Sequence, residues 1–301
     1  MTQLRAFLAV VRGGSVTAAA DELVVTQPSV SSAIAALGKE LGCDLFERSG
    51  RGIRLTEAGR AFAPYAADVI GLLDRGRQAA DEAAQLSAGR MPIAAVTTAA
   101  ESFVPPLMRA FSARHPDVEL TLAVGNRQDV FERVRSHAAD VAISGKPPSD
   151  SGLIGEPLSD NEIVCITAPD DPALADEPVR PADLEGRTWL LREPGSGTRA
   201  LNEEFLAEHG LAPSTLTLGS NGAIKQAVRA GLGVSLLSRA AVDDEIESGR
   251  LAKLRLTNPP ATRPWFVVRV AVGPPRPSAD AFVDFLRSAA ARAHAPARDA
   301  S

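Results

Sequence analysis

The stretch that decides the fold is residues 13–42, GGSVTAAADELVVTQPSVSSAIAALGKELG. Ser15 is a candidate N-cap for a short helix, and residues 24–26 form a tight connection after it. Thr26 can then cap a second helix, which has Pro28 in its first turn, where the missing N–H of proline costs nothing. Two short helices joined by so brief a turn predict a helix-turn-helix.

In a helix-turn-helix, side chains at the start of the second helix reach base edges in the major groove of DNA. Gln27 can bind an adenine edge, and Pro28 offers apolar contact to a thymine methyl group. A hairpin with its turn at Ser-Gly-Arg-Gly, residues 49–52, follows as a wing whose arginines can bind phosphates. The candidate DNA-binding residues are Ser15, Thr26, Gln27, Pro28, Ser29, Ser31, Ser32, Arg48, Arg51 and Arg54. Taken alone, the pattern also permits an ordinary helical hairpin with a solvated polar face.

Composition limits the remaining classes of protein. The formal charge is −5, but the first 60 residues carry seven basic and six acidic side chains, so nucleic-acid binding stays open. The N-terminus lacks the pattern of a signal peptide and no apolar run is long enough to span a bilayer, so we expect a cytoplasmic protein without a membrane partner. Cys43 and Cys165 have no neighbours at metal-ligand spacing, and two half-buried thiols are favoured over a redox pair.

An alanine-rich helix is predicted over residues 59–89. It carries an apolar seam with alternating spacings of three and four residues, at Phe62, Tyr65, Val69, Leu72, Gly76, Ala79, Ala83 and Leu86. Such a seam predicts dimerisation, with packing against the same chain as the alternative. Pro64 marks either a kink or the true start of this helix.

From residue 90 to residue 301, strand-like and helix-like runs alternate, which predicts parallel sheets covered by helices. Ligands of such sheets bind beyond the carboxyl ends of the strands, and the stretch REPGSGTR at residues 192–199 is suited to an anion at a helix N-terminus. The candidate effector-binding residues are Thr97, Thr98, Asn126, Ser144, Gly145, Ser196, Gly197, Thr198, Arg199 and Asn221. The alternative roles are helix caps and, for Arg199, a pair with Glu193, Glu203 or Glu204.

Three segments together resemble LysR-type transcriptional regulators, over nearly the whole chain. They are AFLAVVRGGSVTAAADELVVTQPSVSSAIAALGKELGCDLFERSGRGIRLTEAG, DVELTLAVGNRQDVFERVRSHAADVAISG and SNGAIKQAVRAGLGVSLLSRAAV. REPGSGTR followed by GSNGAIKQAV is most similar to the branch that contains regulators of carbon-fixation genes and relatives tied to sulfur metabolism.

The resemblance implies an α/β protein with an N-terminal winged helix-turn-helix at residues 1–58 and a dimerising linker helix at residues 59–89. It implies a two-lobed effector domain at residues 90–301, shaped like a periplasmic binding protein. Lobe one is expected at residues 91–165 and 266–292, and lobe two at residues 166–265. The function implied is sequence-specific regulation of transcription, in which a small anionic metabolite in the cleft modulates promoter binding and bending.

The same resemblance implies double-stranded promoter DNA as a partner, homodimers that pair into tetramers, and RNA polymerase as a further partner. No cofactor and no metal are expected. Two departures from the family pattern are present: Ser32 and Ala33 stand where many members carry an arginine, and Ala99-Ala100 replaces a bulkier residue and glycine.

Two rival functions are disfavoured by the sequence. The stretch EPGSGT is neither a nucleophile elbow, which needs glycine where Pro194 stands, nor a Walker loop, so an enzyme is not expected. The third segment alone would suit a solute-binding protein, but the first 90 residues oppose that interpretation.

Overall fold

The computed structural model describes residues 1–50, 52–84, 89–176 and 178–293. The chain divides into two compact units. The N-terminal unit contains the described residues up to Ala84 together with Arg135–Ala138 and Val272–Arg276, and the C-terminal unit contains the remainder. None of the described helices is long and apolar enough to cross a membrane.

The N-terminal unit begins with three helices and a hairpin, as the sequence predicted. Its elements are α1 (Thr2–Gly13), α2 (Val16–Leu23), α3 (Gln27–Leu41), β1 (Phe46–Ser49), β2 (Gly52–Leu55) and α4 (Glu57–Ala83). The two strands pair antiparallel with Phe46 opposite Leu55. Phe7 is fully buried, with its ring centroid 5.4 Å from that of Phe46 and 5.5 Å from that of Phe62, so α1 holds the hairpin and α4 together.

The caps expected for α2 and α3 are present. The Ser15 hydroxyl accepts a hydrogen bond from the Ala18 amide at 3.1 Å, and Thr26 Oγ1 accepts one from the Ser29 amide at 3.4 Å. Between the two helices Val24 adopts a left-handed conformation with φ of 55°, which β-branched residues rarely adopt. This residue closes α2, so the turn before α3 needs only residues 24–26.

The linker helix α4 is shorter than the predicted range of residues 59–89. It begins at Glu57, where Thr56 Oγ1 accepts a hydrogen bond from the Gly59 amide at 2.9 Å, and it runs through Pro64 to Ala83. Gly89 belongs instead to a strand that pairs with a neighbour from its first residue, which corrects the predicted C-terminal end of the helix.

Only part of the predicted seam of α4 is exposed. Its members Tyr65 and Val69 are 69% and 49% exposed, and Leu73, which is not part of the predicted seam, is 37% exposed and extends them to a stripe with four-residue spacing. Phe62 instead packs against Phe7 of the same chain, and Leu86 lies outside the described residues.

The C-terminal unit contains ten strands and seven α-helices among its described residues. They are β3 (Gly89–Val96), α5 (Thr97–Ser102), α6 (Val104–Ser112), β4 (Val118–Gly125), α7 (Arg127–Arg135), β5 (Val141–Ser144), β6 (Leu153–Ser159), β7 (Ile163–Thr167), β8 (Trp189–Leu191), α8 (Gly197–Glu208), β9 (Thr215–Thr217), α9 (Asn221–Arg229), β10 (Ser235–Ser238), α10 (Asp243–Glu247), β11 (Ala252–Leu254), β12 (Trp265–Val270) and α11 (Pro277–Ala293).

These strands form two lobes. Lobe one is a five-stranded sheet in the order β4-β3-β5-β12-β6, in which β3 is parallel to β4 and β5 whereas β12 is antiparallel to β5 and β6. Lobe two has an antiparallel sheet β10-β7-β11 and a parallel pair β8-β9. The sheets are therefore mixed, not purely parallel as predicted.

The first crossing between the lobes lies earlier than predicted. The sequence placed residues up to 165 in lobe one, but Ile163–Thr167 pairs with β10 and β11 of lobe two, so the chain crosses between Ser159 and Ile163. The segment IVCIT is buried throughout, and a fully apolar run does not reveal from the sequence which sheet will bury it. The return crossing lies between Leu254 and Trp265.

Candidate functional site

A cavity of 510 Å³ is lined by residues of both lobes of the C-terminal unit. Three helices begin at it: α5 at Thr97, α7 at Arg127 and α8 at Gly197. The positive ends of the helix dipoles lie at the cavity and the first turn of α8 has no side-chain cap, so this geometry favours an anion. At α7 the Gln128 amide already donates to the Gly195 carbonyl and the Asp129 amide to Asn126 Oδ1.

The structure brings together eight of the ten residues predicted to bind an effector. The predicted residues that line the cavity are Thr97, Thr98, Asn126, Ser144, Gly145, Ser196, Gly197 and Thr198. They come from the ends of β3, β4 and β5 and from the start of α8. The rule that ligands bind beyond the carboxyl ends of strands thus selected residues that meet in space.

Arg199 and Asn221 are not among the lining residues. Arg199 forms an ion pair with Glu203 at 2.7 Å, one helical turn away, and donates to the Arg192 carbonyl at 3.0 Å. This is the alternative that the sequence had left open for Arg199, with the arginine held by a glutamate of its own helix.

Asn221 lies behind the cavity wall and connects the two lobes. Its side chain is 1% exposed, accepts a hydrogen bond from Arg192 Nη1 at 2.6 Å and donates one to Thr98 Oγ1 at 2.9 Å. Thr98 belongs to lobe one and Arg192 to lobe two, so this asparagine fixes two lining side chains at once. It is a positioning residue in this structure.

Glu193 holds the other side of the Arg192 guanidinium. Its carboxylate accepts hydrogen bonds from Arg192 Nε at 2.7 Å and Nη2 at 2.9 Å. Burial alone would raise the pKa of Glu193, but the bonds from Arg192, with a smaller contribution from Asn126, outweigh burial and lower the pKa. Glu193 therefore remains charged and neutralises Arg192.

A second contact between the lobes lies at the turn before α8. The Gln128 amide donates to the Gly195 carbonyl at 3.2 Å, and Gly195 has φ of 86°, in the left-handed region that favours glycine. A Cβ at this position would lie 2.9 Å from Gln128 Oε1 and 3.3 Å from Gln128 Cβ, so the Gln128 side chain would have to shift to admit it.

The cavity is also lined by four basic side chains that were not predicted from the sequence: Arg127, Lys146, Arg192 and Arg263. The first three lie directly beside predicted ligands or just after a strand, so the rule already applied to their neighbours selects them too. Arg263 lies in the proline-rich segment before β12, and no sequence signal identifies it.

The residues predicted to bind DNA form an exposed polar surface on the N-terminal unit. Gln27, Pro28, Ser29, Ser31 and Ser32 occupy the first two turns of α3, and all are exposed. Arg48 and Arg54 are exposed on the hairpin, where Arg54 pairs with Glu47 at 2.9 Å, and Arg51 lies outside the described residues. Ser15 and Thr26 serve as helix caps, the alternative role of such residues.

The two cysteines lie in different environments, and neither is half-buried as the sequence predicted. Cys43 is exposed, whereas Cys165 is fully buried in β7 and burial raises the pKa of its thiol to about 12. A thiol with so high a pKa is protonated and unreactive at neutral pH. Within the described part of the chain, no group of three or more His, Cys, Asp or Glu side chains could hold a metal ion.

Sequence profiles of two protein families match the two units. The family described as "Bacterial regulatory helix-turn-helix protein, lysR family" matches residues 1–60, and the one described as "LysR substrate binding domain" matches residues 84–291. Together they cover almost the whole chain, including α3 with its exposed polar turns and every residue around the cavity.

Two curated relatives are similar over nearly their full length. The HTH-type transcriptional regulator CbbR of Rhodospirillum rubrum is 38% identical over 291 residues, which is 96% of each chain. The RuBisCO operon transcriptional regulator of Allochromatium vinosum is 37% identical over 295 residues, covering 98% of this chain and 97% of the relative.

A solved structure matches the C-terminal unit. It is the regulatory domain of CcmR from Synechocystis PCC6803 in complex with 2-PG, with 31% identity and a TM-score of 0.63 over 67% of this chain and 97% of that domain. The profiles, the relatives and this structure agree with the helix-turn-helix and the two-lobed cavity. The chain belongs to the LysR family of DNA-binding transcriptional regulators, with an N-terminal winged helix-turn-helix and a C-terminal effector-binding domain.

Proposed function

We propose that this regulator controls carbon-fixation genes and that its effector is a small anion bound in the cavity between the two lobes. The observation that carries the proposal is the similarity of 37–38% over nearly the full length to CbbR and to a RuBisCO operon regulator. The similarity extends over both the DNA-binding and the effector-binding regions. The residues that select the DNA sequence and the effector lie in those two regions, so the similarity supports more than a common fold.

The chemistry of the cavity supports an anionic effector. Three helices begin at its wall, and among the described residues four basic side chains line it with one carboxylate, Glu204. The basic residues are Arg127, Lys146, Arg192 and Arg263. The regulatory domain of CcmR was solved in complex with 2-PG, and the present cavity of 510 Å³ has room for a small metabolite of that kind.

DNA recognition is assigned to the exposed start of α3 and to the hairpin. Gln27 is the candidate for base readout, while Arg48 and Arg54 are candidates for phosphate contacts. We infer a homodimer through the exposed stripe of Tyr65, Val69 and Leu73 on α4, since such a stripe is stabilised when a second helix covers it. Pairing of dimers into tetramers would place two helix-turn-helix pairs on one promoter.

The experiment is a fluorescence anisotropy titration of the purified full chain against labelled DNA. One fragment carries the region upstream of the operon that encodes the carboxylating enzyme in the same genome, and a second of equal length and base composition carries coding sequence. We expect the upstream fragment to bind at least about 1,000-fold more tightly, with affinity that falls steeply as salt rises. Equal affinity for the two fragments would refute the assignment to carbon-fixation genes.

A further inference from the structure

The cavity carries more positive charge than its acidic residues neutralise. Arg192 is paired with Glu193, and Arg263 donates to Glu204. Among the residues that the structure describes, neither Arg127 nor Lys146 has a carboxylate partner. The excess of cations lies where α7 and α8 begin, so it adds to the positive ends of two helix dipoles.

Arg127 is held in place by two contacts, but one of its hydrogen-bond donors has no acceptor. Its Nη2 donates to the Lys146 carbonyl at 2.6 Å, and its guanidinium lies over the Phe131 ring, 5.3 Å from the ring centroid. Its Nε is buried without a hydrogen-bond partner. A buried donor without a partner destabilises the protein, and an acceptor brought to it removes that cost.

The surroundings of Arg127 disfavour its own charge. Burial lowers the pKa of Arg127, and the positive charge of Arg263 lowers it further. Two guanidinium groups that repel each other are both stabilised when an anion binds between them.

The neighbouring groups also offer donors. Ser144, at the end of β5, is 0% exposed and lines the cavity, and its hydroxyl has no hydrogen-bond partner. Gly197 begins the twelve-residue helix α8, and a Cβ on Gly197 would lie 3.4 Å from Cδ of Arg127. The Ser196 side chain does not cap α8, so the first-turn amides stay available to a ligand.

We propose that Arg127 and Arg263 are charge-selecting residues of the cavity and that, with Ser144, they bind a doubly charged oxyanion such as a phosphomonoester group. Planar guanidinium groups suit the oxygens of such a group, and a dianion balances the two cavity cations that have no carboxylate partner among the described residues, Arg127 and Lys146. The inference deepens the proposed function, on which it rests, because it names the chemical class of the effector. A singly charged carboxylate would leave one of the two positive charges of Arg127 and Lys146 uncompensated.

The test is isothermal titration calorimetry of the full chain with inorganic phosphate, sulfate, 2-PG and the monoanion glycolate. The variants are Arg127→Gln, Arg263→Gln and Arg263→Lys. The control is Arg239→Gln, which removes an ion-paired arginine of lobe two that is not among the lining residues. Melting temperature in anion-free buffer is recorded for each.

The wild-type chain and Arg239→Gln should bind sulfate and 2-PG at least about tenfold more tightly than glycolate. Arg127→Gln and Arg263→Gln should each lose about tenfold or more in affinity for the dianions and about threefold or less for glycolate, while Arg263→Lys recovers part of the loss. Phosphate affinity should rise from about pH 6 to about pH 8 as phosphate gains its second charge, whereas sulfate affinity stays constant.

A purely structural role for Arg263 has a different signature. Arg263→Gln removes the repulsion with Arg127 but also the exposed ion pair with Glu204, which contributes little to stability, so its melting temperature in anion-free buffer should stay close to the wild-type value. A lowered melting temperature together with unchanged dianion affinity would overturn the proposal, as would equal affinity of the wild type for glycolate and sulfate.

Failure of this proposal is distinguishable from failure of the proposed function. If 2-PG alters promoter binding equally in the wild type and in both glutamine variants, the charge-selecting pair is refuted and the regulatory function stands. If the dianions bind through the pair but the upstream fragment is not preferred over coding DNA, the assignment to carbon-fixation genes fails and the pair stands.

Discussion

Replacing Asn221 with alanine tests whether the hydrogen bonds between the lobes stabilise the effector-binding domain. Asn221 is 1% exposed and makes one bond with the charged Arg192 and one with the neutral Thr98 hydroxyl. A bond to a charged group contributes about 1.5–3 kcal/mol and a neutral one about 0.5–1.5 kcal/mol, so the variant should lose about 2–4 kcal/mol of unfolding free energy. With an m-value of about 3 kcal/mol per molar urea, the unfolding midpoint falls by about 1 M.

The assay is equilibrium urea unfolding followed by tryptophan fluorescence. The chain has two tryptophans, Trp189 and Trp265, and both are buried in the C-terminal unit, one in each lobe, so the signal reports on that unit. The control is Ser220→Ala, which removes only the N-cap of the same helix, where the hydroxyl accepts from the Ala223 amide at 3.1 Å. This loss should be about 1 kcal/mol.

A double-mutant cycle separates the bond to Thr98 from the rest. Thr98→Val leaves the Asn221 amide without its acceptor, and the double variant should be less destabilised than the sum of the two single variants by about 0.5–1.5 kcal/mol. Additivity of the two changes within about 0.3 kcal/mol, or an Asn221→Ala midpoint no lower than that of Ser220→Ala, would refute the reasoning.

Four further predictions concern other parts of the chain. Gly195→Ala should lower the same urea midpoint by more than Gly210→Ala does. Both glycines have positive φ and cost about 1–2 kcal/mol when replaced, but only at Gly195 would the new Cβ meet Gln128 Oε1, at 2.9 Å. Equal losses would contradict the close approach of the lobes. Iodoacetamide at about pH 8 should label exposed Cys43 and spare Cys165, because burial raises the pKa of the Cys165 thiol to about 12. Peptide mass spectrometry identifies the labelled cysteines, and labelling of both in the folded protein would contradict the burial of Cys165. Burial alone would raise the pKa of Asp171, but hydrogen bonds from Arg187, Thr167 and the Ala173 amide outweigh burial and lower the pKa to about 2. The wild type should therefore be more stable than Asp171→Asn above about pH 4 and lose that advantage as pH falls towards about 2. A stability advantage that grows as the pH falls would exclude this explanation. Gln27→Ala should weaken binding to the upstream fragment about tenfold or more in the anisotropy titration while calorimetric binding of 2-PG stays unchanged, and loss of both would show that Gln27 acts through folding.

The sequence predicts the N-terminal unit well because its signals are local. Ser15 and Thr26 mark helix starts by their own side chains, and the hairpin turn is determined by Ser-Gly-Arg-Gly at residues 49–52. The end of α4 was predicted too late, since the alanine-rich periodicity continues past Ala83 although Gly89 already pairs in a sheet.

The crossings between the lobes and the basic lining of the cavity depend on contacts distant in sequence. The run IVCIT is apolar enough for either sheet, and only its pairing with β10 and β11 assigns it to lobe two. Arg199 looked like a ligand because it follows the glycine-rich turn, but Glu203 lies one helical turn away and holds it. Arg263 reaches the cavity from the segment before β12, and nothing in its sequence neighbourhood indicates that position.

The central claim is that an anion in the C-terminal cavity alters DNA binding by the N-terminal helix-turn-helix. The most direct measurement is DNase I footprinting of the full chain on the upstream fragment, with and without 2-PG, at one salt concentration and with Arg263→Gln in parallel. The account predicts a protected region whose extent or half-saturation concentration changes about fivefold or more with 2-PG in the wild type, and much less in the variant. Identical footprints and half-saturation concentrations with and without 2-PG, in a protein that binds 2-PG by calorimetry, would contradict it.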